Sequence, residues 1–111
     1  MSEVYGLAKQ IEDAKQLIEF RTRLQRLSAN PDFRAIVLDE FCVQECARYA
    51  QSSADPALSE RQRQDALGLA QSAGHLKRWM SVQVQMANAA EDQIPNLEAE
   101  LEVARAEEAG E

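Results

Sequence analysis

The sequence predicts an all-α fold: a three-helix bundle or helical hairpin with a long, coiled-coil-like C-terminal helix. Two observations carry the prediction. The 111 residues are rich in Ala, Leu, Glu, Gln and Arg, with four glycines, three prolines and few β-branched residues, a composition that favours helix. The second is a seam. Read at alternating spacings of four and three, the chain gives Leu69, Ala73, Leu76, Met80, Gln83, Ala87, Ala90, Ile94, Leu97, Leu101 and Ala104, of which ten of eleven are apolar. A period of 3.5 residues marks a helix that packs lengthwise on other helices. No alternating strand pattern competes with it. The length suits one domain, 1–111.

The first helix is expected over about residues 2–28, with Ser2 as a cap. Val4, Leu7, Ile11, Ala14, Leu17, Ile18, Leu24 and Leu27 recur at helical spacing. Gly6 weakens its first turns, and Arg21 interrupts the stripe by laying its stem along the surface. Asn30-Pro31-Asp32 then ends one helix and starts the next: Asn30 is an N-cap, Pro31 fits the first helical position, and Asp32 suits the positive end of the dipole.

The second helix runs from 31 to about 52. Phe33, Ile36, Val37, Phe41, Ala47 and Ala50 form its stripe, widened by Leu38, Cys42 and Tyr49. A stripe so wide predicts burial against two neighbours and makes this the most enclosed helix. Residues 51–58 form a loop, since Asp55 precedes Pro56 and is kept out of helical angles. Ser59 with Gln62 makes a capping box for a third helix over about 60–106. Gly68 and Gly74 weaken it. Pro95 removes one backbone hydrogen bond and predicts a kink there, although the seam stays in phase across it. At ~1.5 Å per residue the third helix spans roughly 70 Å and the first about 40 Å. The distal part therefore projects or folds back at Pro95, and the end from Glu107 to Glu111 is expected to fray.

The net charge of −7 lies at one end. Residues 1–90 hold eleven acidic and eleven basic side chains, whereas 91–111 hold eight acidic residues against Arg105 alone. This disfavours nucleic acid as a partner, because phosphate neutralisation needs clustered Lys and Arg. No stretch approaches the ~18 apolar residues of a membrane span, and the charged N-terminus lacks a signal-peptide core. Synthesis in the cytoplasm is therefore expected.

The chemical candidates are few. Cys42 and Cys46 stand i, i+4 on one helical face, but a metal site needs two further ligands, and buried, inert thiols are the plainer reading. An intrahelical disulfide is geometrically poor. His75 is the single histidine and has no nucleophile motif beside it. Glu12/Asp13 and Asp39/Glu40 read as solvated or salt-bridged faces. Lys77-Arg78-Trp79 is a short basic-aromatic cluster, with Trp79 as a packing anchor. No cofactor, metal, small-molecule substrate or catalytic residue is implied. A projecting seam instead points to protein interaction, with Met80, Ala87, Ile94, Leu97 and Leu101 as the candidate interface and a second copy as the economical partner. Gln83, the one polar seam residue, either fixes register or faces solvent at a bundle edge.

The run Gln16-Leu-Ile-Glu-Phe-Arg-Thr-Arg-Leu-Gln-Arg-Leu-Ser-Ala-Asn-Pro-Asp-Phe-Arg-Ala-Ile-Val-Leu, continued by Glu45-Cys-Ala-Arg-Tyr-Ala and Leu58-Ser-Glu, resembles small uncharacterised all-helical proteins of tailed bacteriophages. The resemblance spans roughly residues 10–108 and consists of packing and caps. It implies a setting, virion structure or assembly, without naming the part. Together with the long seam it gives the leading expectation: a non-enzymatic virion structural or assembly protein, made in the host cytoplasm and incorporated in the virion, with itself and other virion proteins as partners. The resemblance carries over no functional residue, and the chain departs from the pattern at Ile94-Pro95. The alternative expectation is a small acidic inhibitor or adaptor of a host protein, with DNA mimicry as its extreme form.

Overall fold

The structure, a computed structural model, describes residues 2–110. It is all-α, with no strand among the described residues. Helix α1 is Ser2–Ala29, and Ser2 is already helical rather than a cap. Asn30 adopts an extended conformation and its side-chain oxygen accepts from the Asp32 and Phe33 N–H groups at 2.9 and 3.1 Å. That satisfies two of the donors left open where a helix starts. The chain then forms α2 (Pro31–Phe33), a π-helix (Arg34–Glu45) and α3 (Cys46–Ser53) in unbroken succession. Asp55 Oδ1 accepts from the Ala57 N–H at 2.9 Å in the following loop. Ser59 and Gln62 close the capping box reciprocally at 3.1 and 2.9 Å, starting α4 (Glu60–Ala70). Helix α5 is Ser72–Gly110. Glu111, expected to fray and to add to the acidic end, lies outside the described residues.

Two features differ from expectation, each for a physical reason. The last helix bends at Gln71, between α4 and α5, and not at Pro95. At the bend the Leu69 carbonyl accepts from Ser72 Oγ at 2.6 Å and from Cys46 Sγ at 3.7 Å. Side-chain donors that take a carbonyl out of the i→i−4 ladder are a recognised cause of bending. Pro95 sits inside continuous helix. It and Glu91, whose carbonyl loses its partner to the ring, are both exposed, so water can satisfy that carbonyl. The bend also shifts the phase of the seam. Leu69, its expected first member, is 47% exposed, whereas Ala73 is buried.

The second difference is the π-helix. Its i→i+5 pattern brings residues four and five apart onto one face. The inward stripe is accordingly Phe33, Val37/Leu38, Cys42, Cys46, of which the two cysteines are buried and the others half-buried. The Gln44 side chain reaches Asp39 at 3.1 Å, an i, i+5 pair that α geometry would set apart. Reading this stretch at 3.6 residues per turn places Ile36 and Phe41 inside. They are instead 65% and 38% exposed, with Val43 at 54%, so this is not the most enclosed helix.

The chain divides into two compact units, one of residues 2–24 and 82–110, the other Gln25–Ser81. The first is an antiparallel helix pair. Leu7, Ile11, Leu101 and Ala104 form its core cluster, with Val4 and Leu97 packed against it. Towards the other end of the pair Arg21 donates to Asn88 Oδ1 and, at 2.8 Å, to Glu91 Oε2. In the second unit Cys42, Cys46 and Ala73 form the core cluster, joined by Tyr49 and Leu76. Burying ~100 Å² of apolar surface in such clusters contributes about 2.5 kcal/mol.

A methyl group added at Gly74 meets nothing within 4 Å, and its φ is not positive. Gly74→Ala should therefore stabilise the fold by about 0.5–1 kcal/mol, chiefly by restricting the unfolded chain. Urea unfolding followed by circular dichroism measures this, and a destabilised variant would show that α5 is not regular there.

Candidate interaction surfaces

The residues expected to form an intermolecular seam lie elsewhere. Ala87 has no exposure and Leu101 only 8%, while Ile94 and Leu97 are half-buried. Leu97 and Leu101 pack on α1 through the core cluster, so the stripe is spent on the chain's own first helix. The distal helix packs on α1. Met80 and Gln83 are half-buried and fall in different units. The length argument failed because it set the whole of the last helix beside one bundle. In the structure its distal half belongs with residues 2–24 and its first turns with residues 25–81.

Arg21 is more than a stem on the surface. Its side chain is 14% exposed and ties α1 to α5, while its partner Glu91 remains 55% exposed. Cys42 and Cys46 are free, buried thiols. Cys46 also lies 3.8 Å from Ser72 Oγ, so it takes part in the bend. His75, Lys77, Arg78 and Trp79 are exposed, with Trp79 at 49%. Asp13 pairs with Lys9 at 3.3 Å and Glu45 with Arg48 at 2.7 Å, both at the surface, where such pairs contribute ~0.5 kcal/mol. Among the described residues no group of three or more His, Cys, Asp or Glu is placed to hold a metal ion. No described helix is long and apolar enough to cross a membrane.

Two kinds of surface emerge that periodicity alone did not find. One is on the π-helix, where Ile36 and Phe41, five residues apart, lie on one flank. The other is a pair of open grooves on the helix pair. Pro95, Glu98, Ala99, Glu102 and Arg105 follow one another at helical spacing on α5 and face Ile11 and Lys15 of α1 across the first groove, with Leu101 also in its lining. The second is lined by Glu3, Ala99, Glu100, Val103 and Glu107. The signal for the first groove was Pro95, a residue off the seam that the helix nevertheless accommodates.

Charge separates the two units. Residues 82–110 carry seven acidic side chains against one basic, and residues 2–24 carry four of each. Residues 25–81 carry seven of each. The acidity is thus confined to one helix of one unit, facing solvent.

Compared with known proteins, the chain matches no family model, no curated protein sequence and no solved structure.

The π geometry has a direct chemical consequence. A thiol placed at position 36 should react with a small aromatic disulfide reagent at once, while Cys42 and Cys46 react only on unfolding. Protection of Ile36→Cys in the folded protein would mean that the segment keeps a period of 3.6 and buries the residue.

Proposed function

We propose that this chain is a non-enzymatic assembly protein whose activity is helix–helix association, with itself and with other proteins of a particle. One observation supports this above the others. The chain exposes 8062 Å². A compact monomer of 12.4 kDa exposes about 6,100 Å², and even two separate compact units of half that mass would expose about 7,400 Å². Large apolar side chains stand exposed as well, among them Tyr5, Ile36, Leu67, Trp79 and Val103. Scattered exposed hydrophobics are ordinary in a monomer, but surplus area together with them favours association.

The depth of the core supports the same reading. No large side chain is fully buried among the described residues. Each unit is one seam deep, and oligomerisation is one way in which small units with a thin core gain stability. The setting we propose is a bacteriophage virion or its assembly, for which the likeness around Asn30-Pro31-Asp32-Phe33 is the support. The interface lies on outward faces and not on the contact that Leu97 and Leu101 already make with α1.

Light scattering coupled to size exclusion, over a hundredfold range of concentration, should give a dimer or larger closed oligomer. A monomer at every concentration would overturn self-association. Recovery of the chain in purified particles supports the virion setting. Its capture on a host polymerase or nuclease, with none in particles, would replace that setting with inhibition by the acidic helix.

A further inference from the structure

The first groove of the helix pair has a floor of Ile11, Leu101, Pro95 and Ala99, and rims that carry Lys15, Glu98, Glu102 and Arg105. We infer that a second copy of the chain lays its own helix pair against this groove, so that two pairs close an antiparallel four-helix bundle. The inference rests on the self-association reading above and names the face that performs it.

Charge selects this groove over its neighbour. A two-fold axis sets a patch against its own image, so the patch must be self-complementary. The α5 half of the described pair carries seven acidic side chains against one basic, so its outward face repels a copy of itself, whereas residues 2–24 carry four of each. The first groove is bordered by both helices. Two basic side chains, Lys15 and Arg105, stand with two acidic ones, Glu98 and Glu102, around an apolar floor. The second groove carries Glu3, Glu100 and Glu107 with no basic residue, so its image would meet it with like charge.

Shape agrees with this choice. Ile11 and Leu101 keep 7% and 8% exposure at the groove floor, which a partner helix would remove. Ala99 is exposed and small, so it lets a second helix approach closely at the middle of the patch. Four-helix bundles are commonly completed from two such pairs by antiparallel packing.

The test measures the dimer constant of the full chain by light scattering for the natural protein, Ala99→Glu and Ala99→Leu, with helix content read by circular dichroism. The expected result is a dimer for the natural protein and for Ala99→Leu. For Ala99→Glu it is dissociation roughly tenfold or more easier, at unchanged helix content. Lys15→Glu is the second probe. It adds no bulk, makes the patch acidic, and should weaken the dimer most at low salt. Because Ala99 lines both grooves and Lys15 only the first, a natural dimer that Lys15→Glu does not weaken overturns this groove while leaving self-association standing. A natural protein that is monomeric throughout overturns both, and a stoichiometry other than two overturns the four-helix form.

Discussion

The helix pair depends on one contact: Leu7 and Ile11 of α1 against Leu101 and Ala104 of α5. It joins residues ninety or more positions apart. Loop closure over that distance costs entropy that no local propensity offsets. Apolar burial must supply it, and the alanines at 14, 87 and 104 matter as much as the leucines, because small side chains let the helix axes approach. Arg21, bonded to Asn88 and Glu91, fixes the register towards the far end of the pair. A slip of one helical turn would lose both the cluster and these bonds.

In the middle unit the constraint is different. Twelve successive residues adopt a π-helix, a geometry that is rare and usually confined to single turns near functional positions. Here it sends Cys42 and Cys46 inward and turns Ile36, Phe41 and Val43 out. The same cysteine that fills the core touches the Leu69 carbonyl at the bend. Burial of the second helix and the direction of the last one are therefore linked through a single side chain. The Cys46 thiol thus serves the core and the bend at once.

These two arrangements leave a protein that is well formed along its seams and thinly covered around them. Its charge is equally uneven, neutral over residues 25–81 and strongly negative along the distal part of α5. The association proposed for this chain would use its helical faces. The mixed-charge groove at Ala99 is the place where the chain's own acidity does not oppose it.

Much of this was legible in the sequence because it depends on near neighbours. Caps and turns are set by two to four adjacent residues, so Asn30, Asp55 and the Ser59–Gln62 box form the bonds that their side chains prescribe. The seam from Ala73 to Ala104 faces inward, since a repeat of 3.5 residues has one face whatever it packs against. The partner of that seam was not legible. The pattern of α5 fits a second chain as well as it fits its own, and only long-range pairing chose α1 for its distal part and the Cys42–Cys46 stretch for its first turns. Nor could the sequence reveal the π-helix, whose stripe of Phe33, Val37, Leu38 and Cys42 emerges only when the number of residues per turn is known. The bend at Gln71 was hidden for a similar reason: Ser72 could be read as an ordinary helical serine, but Cys46, which shares its carbonyl, lies 26 residues away. Local chemistry determined the helices and their ends. Tertiary packing decided which faces they spend on one another, because burial acts between residues that the chain order keeps apart.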